Sequence, residues 1–464
     1  MVIVMKEKVI KKLPEKRIIK SKYLLEINLD NGKYGLCSNI TGAISLIDEE
    51  MKQLLECYNK PKYYKDICNG NLKYEEATKH LLERGMLVEE DANEKKKLGD
   101  VIKKLRENSP YVFTFVLTMK CNFRCIYCYE SRNPMDMNWE VAEKCINFIV
   151  EKVKETKQKI VPIMFYGGEP LLKLDLMKKI LQTSKKLLPK DTKILVSAIT
   201  NGSLFTKNVA EDLRDYHCSH IQITLDGLKS VHDKRRPYAT GKGSFEDVVN
   251  GIKNAIPVFD SVGIRMNVDK SNENHVPEFL KWIKDNDLAQ KNITVSFGQV
   301  TSFSPESTRH KDLCIPSYEY GKKFIEFVKY AQKIGINSGF SIPRYLYCGA
   351  YIKTSVIFNP NGDIVSCLEG VGDVPDFVVG NVFNTPVYND NAKNFFERSP
   401  LNFEKCRNCE IVGFCGTGCI GKAYYENNDL NTVSCPMLKY DFEGVVKTYI
   451  QEHLRIGKEV YKIM

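Results

Sequence analysis

Sixteen cysteines in 464 residues constrain this chain more than any other feature. Cysteine at that density is a disulfide framework, a set of structural zinc sites or a set of iron–sulfur clusters. Residues Met1 to Lys12 carry a short apolar run before their lysines and lack the longer apolar core of an export signal. A cytoplasmic, reducing setting is therefore expected, in which cysteines act as ligands or catalysts rather than disulfides. No window approaches about 18 uninterrupted apolar residues, so no membrane span is expected. Histidines number 7, and none stands near a cysteine pair at zinc-finger spacing, which disfavours a Cys/His zinc site.

Composition sets the class. With 43% hydrophobic and 27% charged residues, the chain is globular and neither disordered nor collagen-like. Its length gives a prior of about three domains. The net charge of +10 is spread along the chain and reads as a solvated lysine surface; no nucleic acid partner is expected.

Three textures follow one another. Apolar stretches Tyr23–Ile27 and Lys33–Cys37 flank Asp30-Asn31-Gly32, a strong hairpin signal. Ile47, Met51, Leu54 and Leu55 recur at helical spacing, Tyr64 to Cys68 adds a short turn, and a helical stretch from Tyr74 to Arg84 stops at Gly85. This predicts a hairpin-plus-three-helix domain over residues 18–90, then a linker helix over 91–110. From Tyr111, apolar strands alternate with amphipathic helices. Strands are expected at Tyr111–Leu117, Val161–Tyr166, Lys193–Ile199, His220–Leu225, Gly263–Val268 and Ile293–Phe297, and helices at Trp139–Lys154, Leu174–Leu188, Phe245–Ala255 and Val276–Asp285. Such repeated units predict an α/β fold, a partial (β/α)6 barrel over residues 111–335. Periodicity fades from about Cys348 while cysteine density rises, so residues 340–445 are expected to be loop-rich and stapled by something besides a core. Residues 446–464 read as a C-terminal helix or tail.

Straight after the first barrel strand stands Cys121-Asn122-Phe123-Arg124-Cys125-Ile126-Tyr127-Cys128. Three thiolates on one short loop can hold three corners of a [4Fe–4S] cluster and leave its fourth iron open to a small molecule. Phe165-Tyr166-Gly167-Gly168-Glu169-Pro170 ends the second strand, and paired glycines suit close backbone approach to a ligand. The cysteine motif resembles that of the radical S-adenosylmethionine (SAM) superfamily, down to Tyr127 before the last cysteine. The resemblance implies that Gly167, Gly168, Glu169 and Pro170 form the motif that holds the methionine amino group. It further implies that Thr200 and Asn201 contact ribose, and that Thr224, in place of the usual serine, and Arg236 complete the SAM site, Arg236 meeting a carboxylate.

The second constellation is Cys348, Gly362, Cys367, Cys406-x2-Cys409-x5-Cys415-x3-Cys419 and Cys435. All seven cysteines match the auxiliary-cluster pattern of the SPASM group of radical SAM enzymes, and seven ligands do not divide into two closed zinc sites. The resemblance implies two auxiliary [4Fe–4S] clusters: one closed by Cys406, Cys409, Cys415 and Cys435, the other held by Cys348, Cys367 and Cys419. The second either keeps an open iron for a substrate sulfur or is capped by Cys314. Cys37, Cys57, Cys68, Cys145 and Cys218 read as small buried apolar residues.

The hairpin-plus-helices pattern resembles the winged-helix-like leader-recognition domain of ribosomal-peptide maturases, in which a leader adds as a strand to the hairpin edge. The expected function is maturation of a precursor peptide by thioether cross-linking, as in sactipeptide and ranthipeptide enzymes, with a flavodoxin or ferredoxin as electron donor. Two alternatives remain. One is an anaerobic sulfatase-maturating enzyme, with Glu369 or Asp363 as base; Leu368 and Glu369 stand where that family carries Asp after the cysteine. The other is an iron–sulfur electron-transfer or peptide-binding protein.

Overall fold

The computed structural model describes residues 15–29, 32–131, 133–302, 304–340, 348–455 and 461–463. Asp30 and Asn31 of the expected hairpin turn lie outside the described residues.

The N-terminal region is built on two small sheets. Strand β1 (Arg17–Lys20) precedes the hairpin β2 (Leu24–Asn28) and β3 (Lys33–Ser38), which pair antiparallel with Leu25 opposite Cys37. A further strand, β4 (Ile44–Asp48), continues the meander. The Asp48 side chain accepts from Met51 N and starts α1 (Glu49–Cys57). After β5 (Lys62–Tyr63) come α2 (Tyr64–Cys68) and α3 (Leu72–Glu83), the latter capped by Asn71. Strand β6 (Leu87–Glu89) then returns to pair with β1. Leu36, Met51, Leu55, Tyr58 and Leu81 form the buried centre. Helix α4 (Glu94–Glu107) is more than a connector, because Leu98 and Ile102 are buried in the core of the following barrel.

Six parallel strands follow in the order of the chain: β7 (Val112–Val116), β8 (Ile160–Tyr166), β9 (Lys193–Thr200), β10 (Cys218–Thr224), β11 (Ser261–Val268) and β12 (Ile293–Gln299). Helices α5 (Trp139–Thr156), α6 (Leu174–Leu187), α7 (Lys207–Leu213), α8 (Lys229–Arg235), α9 (Phe245–Ala255), α10 (Val276–Asp285) and α11 (Ser317–Lys333) complete the units. Strand alternation divides the two faces. Phe113, Phe115, Ile163, Phe165, Ile221, Ile223, Ile264 and Met266 are buried in the core. Thr114, Met164, Tyr166, Gln222, Thr224, Arg265, Asn267 and Gln299 face a cavity inside.

The cysteine-rich region departs from the loop-rich expectation. Strand β13 (Ser355–Phe358) pairs in parallel with β7, Phe358 opposite Phe115, and β14 (Asp363–Val365) and β15 (Val378–Asn381) extend the sheet to nine strands. Val356, Phe358, Ile364, Phe377, Val379 and Phe395 are buried in the barrel's own core, so this region has an apolar anchor besides any metal. Short helices α12 (Ala392–Phe396), α13 (Glu404–Arg407) and α14 (Val412–Cys415) lead to α15 (Ile420–Asn427).

The chain closes on its own beginning. Helix α16 (Phe442–Arg455) lays Val445, Val446, Tyr449 and Ile450 against Ile27, Cys37 and Leu46, and β16 (Tyr461–Ile463) pairs in parallel with β4. Gly35 leaves the room, since a Cβ there would stand 2.6 Å from Ile450 Cδ1. Cys37, Cys68, Cys145 and Cys218 are buried, whereas Cys57 is exposed at the end of α1, contrary to its reading as a buried apolar residue. Its position falls outside the apolar stripe of that helix, whose buried residues are Met51, Leu54 and Leu55. Among the described residues no helix is long and apolar enough to cross a membrane.

Truncating Ile450, which is fully buried, to alanine is expected to cost about 2–5 kcal/mol locally. Faster amide hydrogen exchange in β2 and β3, with barrel strands unaffected, is the measurement that checks it.

Candidate active site

The loop after β7 carries Cys121, Cys125 and Cys128, and backbone bonds fasten it to the segment after α8: Arg124 N to Pro237 O at 2.8 Å, Ile126 N to Arg235 O at 2.9 Å and Ala239 N to Asn122 O at 2.8 Å. Phe123 meets Tyr238 edge-on, 4.9 Å between ring centroids. Tyr127 Oη accepts from Arg236 Nη1 at 2.7 Å and from Asn267 Nδ2 at 3.1 Å. Arg235 stands over the Tyr127 ring and is itself held by Asp269, both of whose oxygens accept from Nη1 at 2.8 Å. Sequence reasoning singled out Arg236 and passed over Arg235, although the two are adjacent. The signal lies in Asp226 and Asp269, two residues and one residue past their strand ends and therefore able to face an arginine.

The glycines serve a different neighbour than expected. A Cβ on Gly167 would stand 2.3 Å from Thr118 O, and one on Gly168 would stand 2.5 Å from Lys120 O. Both are thus required by close approach to the cysteine loop, and Gly167 also holds φ at 141°. Their backbone lines the cavity, but Glu169 and Pro170 do not. Instead the buried Glu169 carboxylate accepts from Leu171 N at 3.0 Å, Thr200 Oγ1 at 2.7 Å and Asn201 N at 2.7 Å. It therefore ties the ends of β8 and β9 together. Thr200, Asn201, Thr224 and Arg236 line the cavity; the Arg236 Nε is buried with no partner among the described residues.

One cavity of about 1010 Å³ is lined by Cys121, Cys125 and Cys128 from one side and by Cys348, Cys367, Cys419 and Glu369 from the other. The Cys348, Cys367 and Cys419 thiols are near enough to raise one another's pKa, Cys367 feeling both others. Cys406, Cys409, Cys415 and Cys435 form a separate group by the same criterion. Cys314 belongs to neither: its neighbours are Ser302, Asp269 and Lys270, and it does not line the cavity. Asp363 is turned away too, its carboxylate accepting from Asn361 Nδ2 and Asn381 Nδ2, so of the two carboxylates considered as bases only Glu369 faces the cavity.

Burial pushes the Cys121 and Cys128 thiols up to about 12. It raises Cys125 as well, against the pull of the Arg236 guanidinium beside it. Burial also lifts Cys419 to about 11 and, with the Glu130 charge nearby, Glu369 to about 7. Thiols whose burial disfavours the charged form are suited to a metal centre that makes thiolates favourable. Among the described residues no three His, Cys, Asp or Glu side chains converge on a single metal ion. A cubane takes each thiolate on a different iron, so this donor set fits an iron–sulfur cluster better than a lone ion.

Gly168→Ala is expected to push the cysteine loop off its seat. Iron uptake on anaerobic reconstitution should fall while the circular dichroism spectrum stays unchanged.

Residues 115–283 match the family model of the Radical SAM superfamily. The radical SAM cyclopropyl synthase TigE of Paramaledivibacter caminithermalis is 25% identical over 458 residues, covering 88% of this chain and 91% of that one. A cysteine-type anaerobic sulfatase-maturating enzyme of Clostridium novyi is 24% identical and covers 72% of this chain and 95% of its own length. Among solved structures, anSMEcpe with bound AdoMet and Kp18Cys peptide superposes with a TM-score of 0.60 at 18% identity, over 75% of this chain and 99% of that one. Streptococcus suis SuiB bound to precursor peptide SuiA gives 0.53 at 17% identity, over 90% of this chain and 98% of that one. The family match opens on the strand that delivers the thiol loop and runs past the Arg235–Asp269 pair that braces it: the chain carries a radical SAM domain over residues 115–283 and is an enzyme.

Proposed function

We propose that this radical SAM enzyme modifies a ribosomally made precursor peptide and joins a cysteine sulfur of that peptide to a carbon, forming a thioether. The observation that carries the reading is that two sets of three thiols, Cys121, Cys125 and Cys128 and Cys348, Cys367 and Cys419, line one cavity. A substrate held there touches both.

The superfamily implies a [4Fe–4S] cluster with SAM, here on Cys121, Cys125 and Cys128, which when bound supplies a 5′-deoxyadenosyl radical able to abstract hydrogen from carbon. The Gly167 and Gly168 backbone, Thr200, Asn201, Thr224 and Arg236 orient SAM against that centre. Cys406, Cys409, Cys415 and Cys435 would hold a closed auxiliary cluster. Cys348, Cys367 and Cys419 would hold another with one position free for a substrate sulfur, a reading favoured by the distance of Cys314 from that group. Glu369, on the same wall, takes the proton that the substrate thiol gives up, and the one electron released as the carbon radical and the sulfur join would pass to the auxiliary clusters. Among the described residues the sheet β16-β4-β3-β2 leaves the outer edge of β2 unpaired, which suits a leader segment adding as a strand. A flavodoxin or ferredoxin donor and a cytoplasmic setting complete the reading.

A second reading, carbon–carbon bond formation to a cyclopropyl group, is favoured by the TigE match, which spans nearly the whole of both chains. Sulfatase maturation is less favoured, since that relative leaves over a quarter of this chain unmatched.

The experiment is 5′-deoxyadenosine formation from SAM under dithionite, with a Cys-rich peptide encoded beside the gene as substrate and thiol alkylation with mass spectrometry to read the bond. Cys125→Ala should abolish SAM cleavage. Cys367→Ala should spare uncoupled cleavage and lose the product, and Glu369→Gln should lower product formation by about 100-fold with cleavage unchanged. Absence of 5′-deoxyadenosine from fully reconstituted protein would sink the enzyme reading, and free thiols in a modified peptide would shift the choice to the carbon–carbon bond.

A further inference from the structure

Arg265 lies within β11, in register with Thr224 of β10 and Ser296 of β12, and its side chain lines the cavity. Its Nε donates to Asn267 Oδ1 at 3.2 Å. The guanidinium lies over Gly298 of β12, where a Cβ would stand 1.9 Å from Nη2 and 2.3 Å from Cζ. Glycine at 298 is thus the condition for the arginine's pose.

The other cations on the cavity wall are engaged. Lys120 pairs with Asp136 at 2.7 Å. Arg124 donates to the Cys121 and Phe123 carbonyl oxygens at 2.8 Å. Arg236 donates to Tyr127 and stands beside Cys125. Arg265 alone among them has no carboxylate within 4.0 Å and no acceptor at either Nη among the described residues. A second donor adjoins it: the Tyr320 hydroxyl of α11, fully buried and without a partner among the described residues, is close enough to feel the guanidinium charge. A guanidinium with free Nη donors on the chamber wall, backed by a buried hydroxyl that has no acceptor, is costly until an acceptor arrives. A carboxylate matches the paired Nη donors and the arginine's charge.

We infer that Arg265 is a carboxylate-binding site of the cavity and receives an acidic group of the substrate, an assignment that rests on the cavity being the substrate chamber. SAM also carries a carboxylate, for which Arg236, beside Cys125 on the thiol loop, is the alternative cation.

Equilibrium dialysis of the reconstituted protein separates the two sources. SAM, decarboxylated SAM and, with SAM present, N-acetylglutamate α-amide and N-acetylglutamine α-amide are titrated into wild type, Arg265→Gln and Arg265→Lys. The expected result is that Arg265→Gln binds SAM as wild type does and loses about tenfold or more in affinity for the glutamate probe alone, with Arg265→Lys in between. A loss for SAM that decarboxylated SAM does not share keeps the carboxylate site and overturns its assignment to substrate. Unchanged affinity for every ligand, or equal loss for SAM and decarboxylated SAM, overturns the site itself. Because binding is read without turnover, failure here is distinct from failure to form 5′-deoxyadenosine.

Discussion

The thiol loop has no regular secondary structure of its own between β7 and α5, and what fixes it is a buried charge. Arg235 is 3% exposed and satisfies its donors on Asp226, Asp269, Ser271 and the Asn267 carbonyl. A buried ion pair gives little net stability but is costly to break, so it acts chiefly to enforce one arrangement. Here that arrangement spans the ends of β10 and β11 and the C-terminus of α8. Through Tyr127 and the backbone bond from Ile126 N to Arg235 O, the loop inherits the position of three elements at once. Reactive geometry on an irregular loop needs such bracing from rigid neighbours.

The same strands show how one sequence builds both a core and a chamber. Ile221-Gln222-Ile223-Thr224 and Ile264-Arg265-Met266-Asn267 alternate strictly, the apolar members buried in the core and the polar members lining the cavity. This pattern was legible as strand, and the six strand positions and four helices read from it agree with the structure to within a few residues. Its inward face was equally legible in principle. A parallel strand of a barrel wrapped by helices should be apolar on both sides, so polar residues at every second position already mark a solvent-filled or ligand-filled interior.

Other features were hidden for physical reasons. Strands β13 to β15 are each four residues or fewer, too short for a period-two signal to rise above the surrounding turns, and they exist because β7 offers a free edge. Gly167 and Gly168 were recognisable as close-approach glycines, but no local pattern says whether the approaching atom belongs to ligand or to chain. The separation of Cys406, Cys409, Cys415 and Cys435 from Cys348, Cys367 and Cys419 depends on a chain reversal: Gly418, with φ at 74° and its backbone against Ser434, turns Cys419 from one group toward the other. Spacing alone shows adjacent cysteines, not the direction each one faces.

Sharing a core has a consequence for the division of labour among these cysteines. A small metal domain folds only with its metal when ligands are its sole long-range ties. In this chain Phe358 stacks on Phe113 and packs tilted against Phe115, and α16 ties the region to the N-terminal sheet through a second apolar cluster. Those apolar contacts anchor the region that places Cys348, Cys367 and Cys419 at the cavity wall, so the proposed cluster would not be its sole long-range tie. Such a wall tolerates a centre with an incomplete protein ligand set, because no cross-link is required of it. On the proposed function, an open position on that wall, facing the chamber that Cys121, Cys125 and Cys128 also line, is one this apolar anchorage can support.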